Sequence, residues 1–380
     1  MNIGLCKLRF LLIILGLVAS TRSWAELPSA PVLASKLELG WNLGNALECP
    51  IGETGWGSAF TTQALIDSVK AAGFNTVRLP VAWFSHSDTI TNLIDPTWIA
   101  RVKTIVDYCM KDGLYVILNA HWDKGWLENR INSSNQTTVN LRQRAYWKQI
   151  ATTFKAYDEH LLFAGANEPN ASDSVGMSIL MSYYQTFVDA VRATGGNNKS
   201  RTLVVQGPCT DVEKTDRLMN ALPKDRIKNR LMVEVHYYTP YQFCLMEKDA
   251  TWGKKFFYWG YGNHSKTDTL RNATWGEEAD IDRFFKSMKD KFVHRNIPVI
   301  LGEFAAYQRQ LRSPSDQTLH NASVEAFYRQ VAKAALENGM TPICWDVNHG
   351  IFDRKSGRII NPLVVRGMKK GLSMAKPYFQ

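Results

Sequence analysis

The chain has 380 residues, 45% hydrophobic and 21% charged, with a formal net charge of +10. This composition excludes a disordered or fibrous protein and allows one large or two small globular domains. The basic residues are scattered without a long cluster, which argues for a solvated surface and against a nucleic-acid partner.

The N-terminal residues read as a leader. Lys7 and Arg9 precede an apolar run from Phe10 to Val18, and Ser23-Trp24-Ala25 ends on a small residue. The pattern predicts a secretory signal peptide over residues 1–25, cut after Ala25. The run is too short to span a bilayer comfortably and nothing later is long enough, so no membrane anchor is expected after cleavage. Cleavage removes Lys7, Arg9 and Arg22 and lowers the net charge to +7. It leaves Cys49, Cys109, Cys209, Cys244 and Cys344, an odd set in a large chain and so no disulfide scaffold. Cys109 and Cys344 lie in apolar stretches and read as buried thiols. Cys209 and Cys244 follow neighbouring strands on one rim; a bridge and two free thiols are equally compatible with a secreted chain.

No low-complexity linker divides residues 26–380, which read as one domain. Eight short apolar runs follow in order: Leu37–Trp41, Thr76–Leu79, Tyr115–Leu118, Leu161–Ala164, Thr202–Val205, Leu231–Val235, Pro298–Leu301 and Ile343–Trp345. Most do not alternate, as expected of parallel strands covered on both faces. Between them lie helical patterns at Thr62–Ala72, Trp98–Met110, Phe187–Val191 and Val324–Leu336. Gly73, Gly113 and Gly339 follow three of these, where a left-handed cap favours glycine. The rhythm predicts an α/β fold, a (β/α)₈ TIM barrel. A doubly wound sheet is the alternative, but no Gly-rich phosphate loop follows the first strand.

In such a barrel the chemistry lies where strands end. In chain order the runs lead into Asn42 and Asn45; Arg78 and Pro80; Asn119, His121, Trp122 and Asp123; Asn167 and Glu168; Gln206; His236 and Tyr238; Glu303; then Trp345, Asp346 and Asn348. A lone polar residue at a strand end means little, whereas a full ring is hard to assign to chance. Glu168 and Glu303 each follow an apolar run, at strands four and seven. Paired carboxylates can cleave a glycosidic bond, one protonating the leaving oxygen while the other attacks the anomeric carbon. The acid must stay protonated while the nucleophile is ionised, and Arg78 beside one carboxylate favours its charged form. His121 and Asp123 do not make a metal site, since two ligands are too few. No Gly-x-Ser-x-Gly elbow supports a serine triad.

The motifs "GFNTVRLPVAW", "VILNAHWD", "GANEP", "VHYYTP", "ILGEF" and "CWDVNHG" occur in the order found in glycoside hydrolase family 5, which the chain resembles across its mature length. The resemblance implies Glu168 as general acid/base and Glu303 as nucleophile. It implies Asn167 as the amide for the sugar 2-hydroxyl, and Arg78 and Tyr238 as the groups that orient the nucleophile. His121 and His236 match the paired site histidines, and Trp345 the platform under the sugar. One departure is Ala305 after Phe304, where the family often has glycine. The expected activity is a secreted (extracellular or periplasmic), monomeric, retaining endo-β-1,4-glucanase acting on cellulose. It needs no cofactor or metal, and its partner is a β-linked polysaccharide. The alternatives are a mannanase, xyloglucanase or mixed-linkage glucanase of the same fold, a non-catalytic glycan-binding barrel, and a metal-dependent hydrolase. Trp41, Trp83, Trp122, Trp126 and Trp345 lie at strand ends and could line a cleft, because indole covers the apolar face of a sugar. Trp98 and Trp147 lie on helical patterns and read as core. Tyr237–Trp275 reads as a large loop covering one end of the cleft.

Overall fold

The computed structural model describes residues 26–379; the leader assigned to residues 1–25 lies outside them. Eight strands form: β1 (Gly40–Asn42), β2 (Thr76–Leu79), β3 (Tyr115–Asn119), β4 (Leu161–Ala164), β5 (Leu203–Gln206), β6 (Leu231–Tyr237), β7 (Val299–Phe304) and β8 (Met340–Cys344). Each pairs in parallel with the next, and β8 closes on β1. Every apolar run expected to be a strand contributes one.

The helices follow the expected patterns, the first slightly shorter and the other three longer. Gln63–Ala71 is capped by Thr62, and Pro96–Lys111 by Asp95 with proline in its first turn, where the missing N–H costs nothing. Gly73, Gly113 and Gly339 all have positive φ, as the left-handed caps require. The helix at Phe187–Val191 extends over Ser174–Ala193, and that at Val324–Leu336 over Pro314–Glu337. Trp147 is buried among Phe163 and Phe187. Trp98 is also buried, stacks on His86 at 3.7 Å, and donates its indole N–H to Ala82 O at 2.8 Å.

Alternation along the strands divides the barrel interior into layers. At the amino-terminal end the inward residues are Ile117, Leu162, Val204, Met232, Ile300 and Ile343. A short helix, Ala30–Ala34, closes this end by packing its Leu33, with Leu37 just beyond its end, against that layer. It is tied down from below the strands, by Ala30 N–H to Asn229 O at 2.8 Å and by a 2.6 Å ion pair from Glu26 to Arg230. Two residues further along the strands the layer changes to Asn42, Arg78, Gln206 and Glu234, all buried.

Three of the tryptophans expected in a cleft belong instead to the core: Trp41, Trp83 and Trp126 are buried. Each covers the outside of the barrel or the base of a loop, and two spend their N–H on the fold. Trp41 Nε1 donates to Asp346 and Trp83 Nε1 to Asn119 O. Cys109 and Cys344 are buried as expected, and Cys209 and Cys244 are both free thiols, so no bridge joins the two loops.

Candidate active site

The carboxyl end of the barrel gathers Arg78, His121, Asn167, Glu168, His236, Tyr238, Glu303 and Trp345. β4 leads to Glu168 by a change of hydrogen-bond partner. The ladder to β5 ends at Gly165 N–H, which donates to Val204 O. The next N–H, of Ala166, donates instead to the Gln206 side chain at 2.9 Å. The chain can therefore leave the sheet with its donor satisfied before Asn167 and Glu168. Pro169 acts beyond the ladder, where its carbonyl accepts from Cys209 N–H at 2.7 Å and binds the β4 loop to the β5 loop.

Glu303 reaches the site through an irregularity. Ile300 and Gly302 face inward, so strict alternation would turn Glu303 outward. Between β6 and β7 the register shifts, with Val235 opposite Leu301 but His236 opposite Glu303. The extra residue re-aims the side chain, a common use of a bulge at a barrel rim. Glu303 then meets Arg78 Nη1 at 2.9 Å and the Tyr238 hydroxyl at 2.9 Å. Arg78 also donates to Asn167 Oδ1 at 2.8 Å and to Asn42 Oδ1 at 3.0 Å. This fixes the Asn167 amide with its NH₂ free to donate elsewhere.

His236 joins the two carboxylates. Its Nδ1 lies 2.7 Å from Glu168 and 3.7 Å from Glu303. One oxygen of each carboxylate and one His236 nitrogen all lie within 4.8 Å of one another. The two carboxylates differ in burial: the Glu168 side chain is 45% exposed and that of Glu303 7%. Burial raises Glu303 above the usual carboxylate range, against the charges of His236 and Arg78. Burial also raises Glu168, but the His236 hydrogen bond and charge outweigh it and leave Glu168 lowered. His236 is lowered by burial yet lifted to about 9 by Glu303, Glu168 and Glu234. The resting site thus holds its proton on the imidazole, and the order of the two carboxyls is the reverse of that expected for an acid and a nucleophile. The reason is that Glu168 is still open to water and bonded to a cation.

His121 is held differently. Asn119 Nδ2 lies 3.1 Å from its Nδ1, and Asn119 Oδ1 accepts from Val81 N–H, which sets the amide as donor. Burial and then the charges of Arg78 and His236 hold His121 well below its ordinary value, so it is neutral. Its ring lies nearly parallel to Trp345, with 5.8 Å between centroids. Trp345 is half-buried, its backbone N–H bonded to Phe304 O at 2.9 Å. Gly44 backs the indole closely; a Cβ there would lie 2.9 Å from the ring. Trp122, next to His121 in sequence, is exposed just beyond β3.

On the other side a cavity of 330 Å³ opens next to Glu168, walled by Thr210, His236, Tyr238 and Trp275. Trp275 comes from the segment after β6, which is large, as expected, and joins the main core by packing Phe243 and Trp259 on Phe327 of the Pro314–Glu337 helix. The residue missed from the sequence is Glu234. It lies inside "VEVHYY", two positions before His236, and a charged residue in step with the inward side of a strand was the available signal.

Comparison with known proteins agrees with this architecture. Residues 42–350 match the family model described as Cellulase (glycosyl hydrolase family 5). A xyloglucan-specific endo-β-1,4-glucanase of Bacteroides ovatus is 35% identical, over 90% of this chain and 70% of its own length. An endoglucanase A of Paenibacillus barcinonensis is 33% identical, over 93% of this chain and 92% of its own. Among solved structures, a xyloglucan-specific β-1,4-glucanase from a ruminal metagenomic library, in complex with XXLG, superposes with a TM-score of 0.86. It is 41% identical and covers 93% of this chain and 98% of its own. With its closed eight-stranded barrel and its glutamates at strands four and seven, the chain belongs to glycoside hydrolase family 5.

Proposed function

We propose that this protein is a retaining endo-β-1,4-glucanase in which Glu303 is the nucleophile and Glu168 the general acid and base. The observation that carries the reading is the spacing of the two carboxylates. Their oxygens, within 4.8 Å, suit direct attack, for which about 5–5.5 Å between carboxyls is typical. Inversion needs about 6.5–9.5 Å, to leave room for a water between them. Glu303 attacks the anomeric carbon as the glycosidic C–O bond breaks, and Glu168 gives its proton to the departing oxygen. Water then adds to the glycosyl–enzyme, losing its proton to Glu168, and Glu303 leaves. Arg78 and Tyr238 hold Glu303 in line, the free NH₂ of Asn167 meets the 2-hydroxyl, His121 with Asn119 behind it borders the attacked sugar, and Trp345 supports that sugar from below.

A sugar in the cleft strips water from Glu168, which favours its neutral form. The proton on His236 Nδ1, 2.7 Å away, then moves to Glu168, and the acid is loaded only when substrate covers it. The glucan backbone is supported by the names of the relatives. Two of those described are named for xyloglucan, so we assign a xyloglucan-type branched glucan as the preferred substrate, ahead of plain cellulose. We also read the protein as a secreted monomer, with the leader cut after Ala25. The test is hydrolysis of xyloglucan, carboxymethylcellulose, lichenan and mannan by the purified protein, with proton NMR of the first products. Faster cleavage of xyloglucan with β-anomer appearing first is expected. An α-anomer first would overturn the role of Glu303, and a preference for mannan would overturn the substrate. N-terminal sequencing of protein from the medium or periplasm checks the leader, and sedimentation the monomer.

A further inference from the structure

We propose that Glu234 is a positioning residue: a third carboxylate, beneath the reacting pair, that holds the His236 imidazole with its proton on Nε2. Nδ1 is then the nitrogen that exchanges a proton with Glu168. Glu234 belongs to β6, fully buried, and touches no position where a sugar could lie. Its Oε1 lies 2.8 Å from Arg78 Nε and 3.2 Å from His236 Nε2. The Arg78 Nε–H does not point along the first contact, so that pair is held by charge and not by a directed hydrogen bond. The other oxygen accepts from Gln206 Nε2 at 2.5 Å. Gln206 is itself committed, since its Oε1 takes the Ala166 N–H at the start of the turn that carries Glu168.

The space for this carboxylate is built into the neighbouring strand. Gly302 faces it, and a Cβ at Gly302 would lie 2.0 Å from Glu234 Oε1. Glycine is needed there for room and not for its backbone, since its φ is not positive. A counter-ion for Arg78 alone would not explain the contact to His236. An ionised carboxylate can only accept, so the nitrogen facing it must carry a proton. When the imidazole loses a proton, it is the Nδ1 proton that leaves, toward Glu168. Of the other groups around His236, the carboxylates on Nδ1 pull the other way, but Glu168 can exchange that bond for one to water, whereas the fully buried Glu234 cannot. Glu168 and Glu303 both face Nδ1, Tyr238 is bonded to Glu303, and Arg78 and the neutral His121 act on the ring only through space.

Glu234→Gln keeps the shape and removes the charge. Its NH₂ would face either the NH₂ of Gln206 or the Nε–H groups of Arg78 and His236, so one pair of donors is left unmatched whichever way the amide turns. The His236 charge loses a stabilising neighbour, so its titration and the alkaline limb of kcat/KM should both move to lower pH, by about one unit. We expect kcat to fall about 10–100-fold with KM within about threefold. A variant that melts earlier but leaves the alkaline limb unmoved would make Glu234 a structural counter-ion only and overturn the proposal. A second measurement uses the wild-type protein with ¹⁵N-labelled histidine, titrated from about pH 6 to 10, with the His236 signals assigned by their loss in His236→Gln. The neutral ring should carry Nε2–H; a neutral ring with Nδ1–H would overturn the proposal even if Glu234→Gln cannot be folded. The proposal takes the acid role of Glu168 from the function proposed above, but the tautomer is read without substrate. A wrong substrate or an inverting outcome would leave that result standing.

Discussion

The two ends of the barrel are both closed by buried side chains, but of opposite chemistry. The amino-terminal end is hydrocarbon: Leu33 and Leu37 against Ile117, Leu162, Val204, Met232, Ile300 and Ile343. The carboxyl end, two residues along the same strands, is Asn42, Arg78, Gln206 and Glu234, with His236 and Glu303 above them. Hydrocarbon gains by leaving water and asks little of its neighbours beyond shape. Buried charges are tolerable only when each has a partner. Arg78 has Glu234, Glu303, Asn167 and Asn42, and no one of these could be removed without leaving another group uncompensated. One end is therefore the place to look for stability, and the other for activity.

The largest effect should come at the charged end. Glu168→Gln and Glu303→Gln should each lower kcat by about 10²–10⁴-fold or more, with melting temperatures close to wild type. Near-normal turnover by either pure variant would remove the distinction between the ends. Two tryptophans sharpen it. Trp98→Ala should cost about 3–5 kcal/mol of stability, yet cleave well while folded, because Trp98 is buried against His86 and Ala82. Trp345→Ala should melt near wild type and cleave poorly, because its indole is half-buried at the site. Melting temperature set against kcat/KM separates the two, and the reverse pattern would place the wrong tryptophan in the cleft. Leu33→Ala, in the hydrocarbon end, should cost about 2–5 kcal/mol and leave kcat unchanged below the melting transition; a loss of kcat at low temperature would show that the ends are coupled.

The smallest effect is a pH dependence that only the charged end should show. Burial raises Glu48, which accepts from the Asn45 and Ala46 N–H groups in the loop after β1, to about 7, and Glu128, in the loop after β3, to about 8, while the neighbouring carboxylates raise His236 to about 9 despite its burial. All three values exceed those of the unfolded chain, so the native state favours the protonated forms. The stability they contribute is present below the unfolded values and is lost as pH climbs through 7, 8 and 9. The melting temperature of wild type should accordingly fall from about pH 7 to pH 9, above the range in which His86, His121 and His320, all lowered by burial, lose their protons in the unfolded chain. A rise over that range would mean that these groups are not held as the structure shows.

The barrel was legible because its signal is repeated: eight apolar runs, each followed by polar residues, and glycines where left-handed caps form. Glu168, Glu303, Arg78, His121, Asn167, His236, Tyr238 and Trp345 do converge, since all lie at strand ends. What sequence reading lacked was direction. Trp41, Trp83 and Trp126 also lie at strand ends, but point to the outer layer or under a loop, and no run of letters states which way a side chain turns. Glu303 faces the cleft only because the register slips beside His236. Glu234 was hidden by the opposite effect, a charge inside a strand whose apolar neighbours made the run look uniformly buried. The electrostatic order of the two glutamates depends on which is wet, and that is a property of the assembled rim.

The plug at the hydrocarbon end has a consequence for the order of events in folding. Ala30–Ala34 rests on strands from most of the barrel, including β8, and Trp41 at the start of the barrel bonds to Asp346, 305 positions away. Contacts that distant are late, because the intervening chain must be gathered before they reward it. The plug has no complete seat until β8 has met β1. Leu33 and Leu37, though made early, therefore wait in the open until nearly the whole domain has been synthesised, and during that wait they are the surface on which a chaperone, or a second unfinished chain, can take hold.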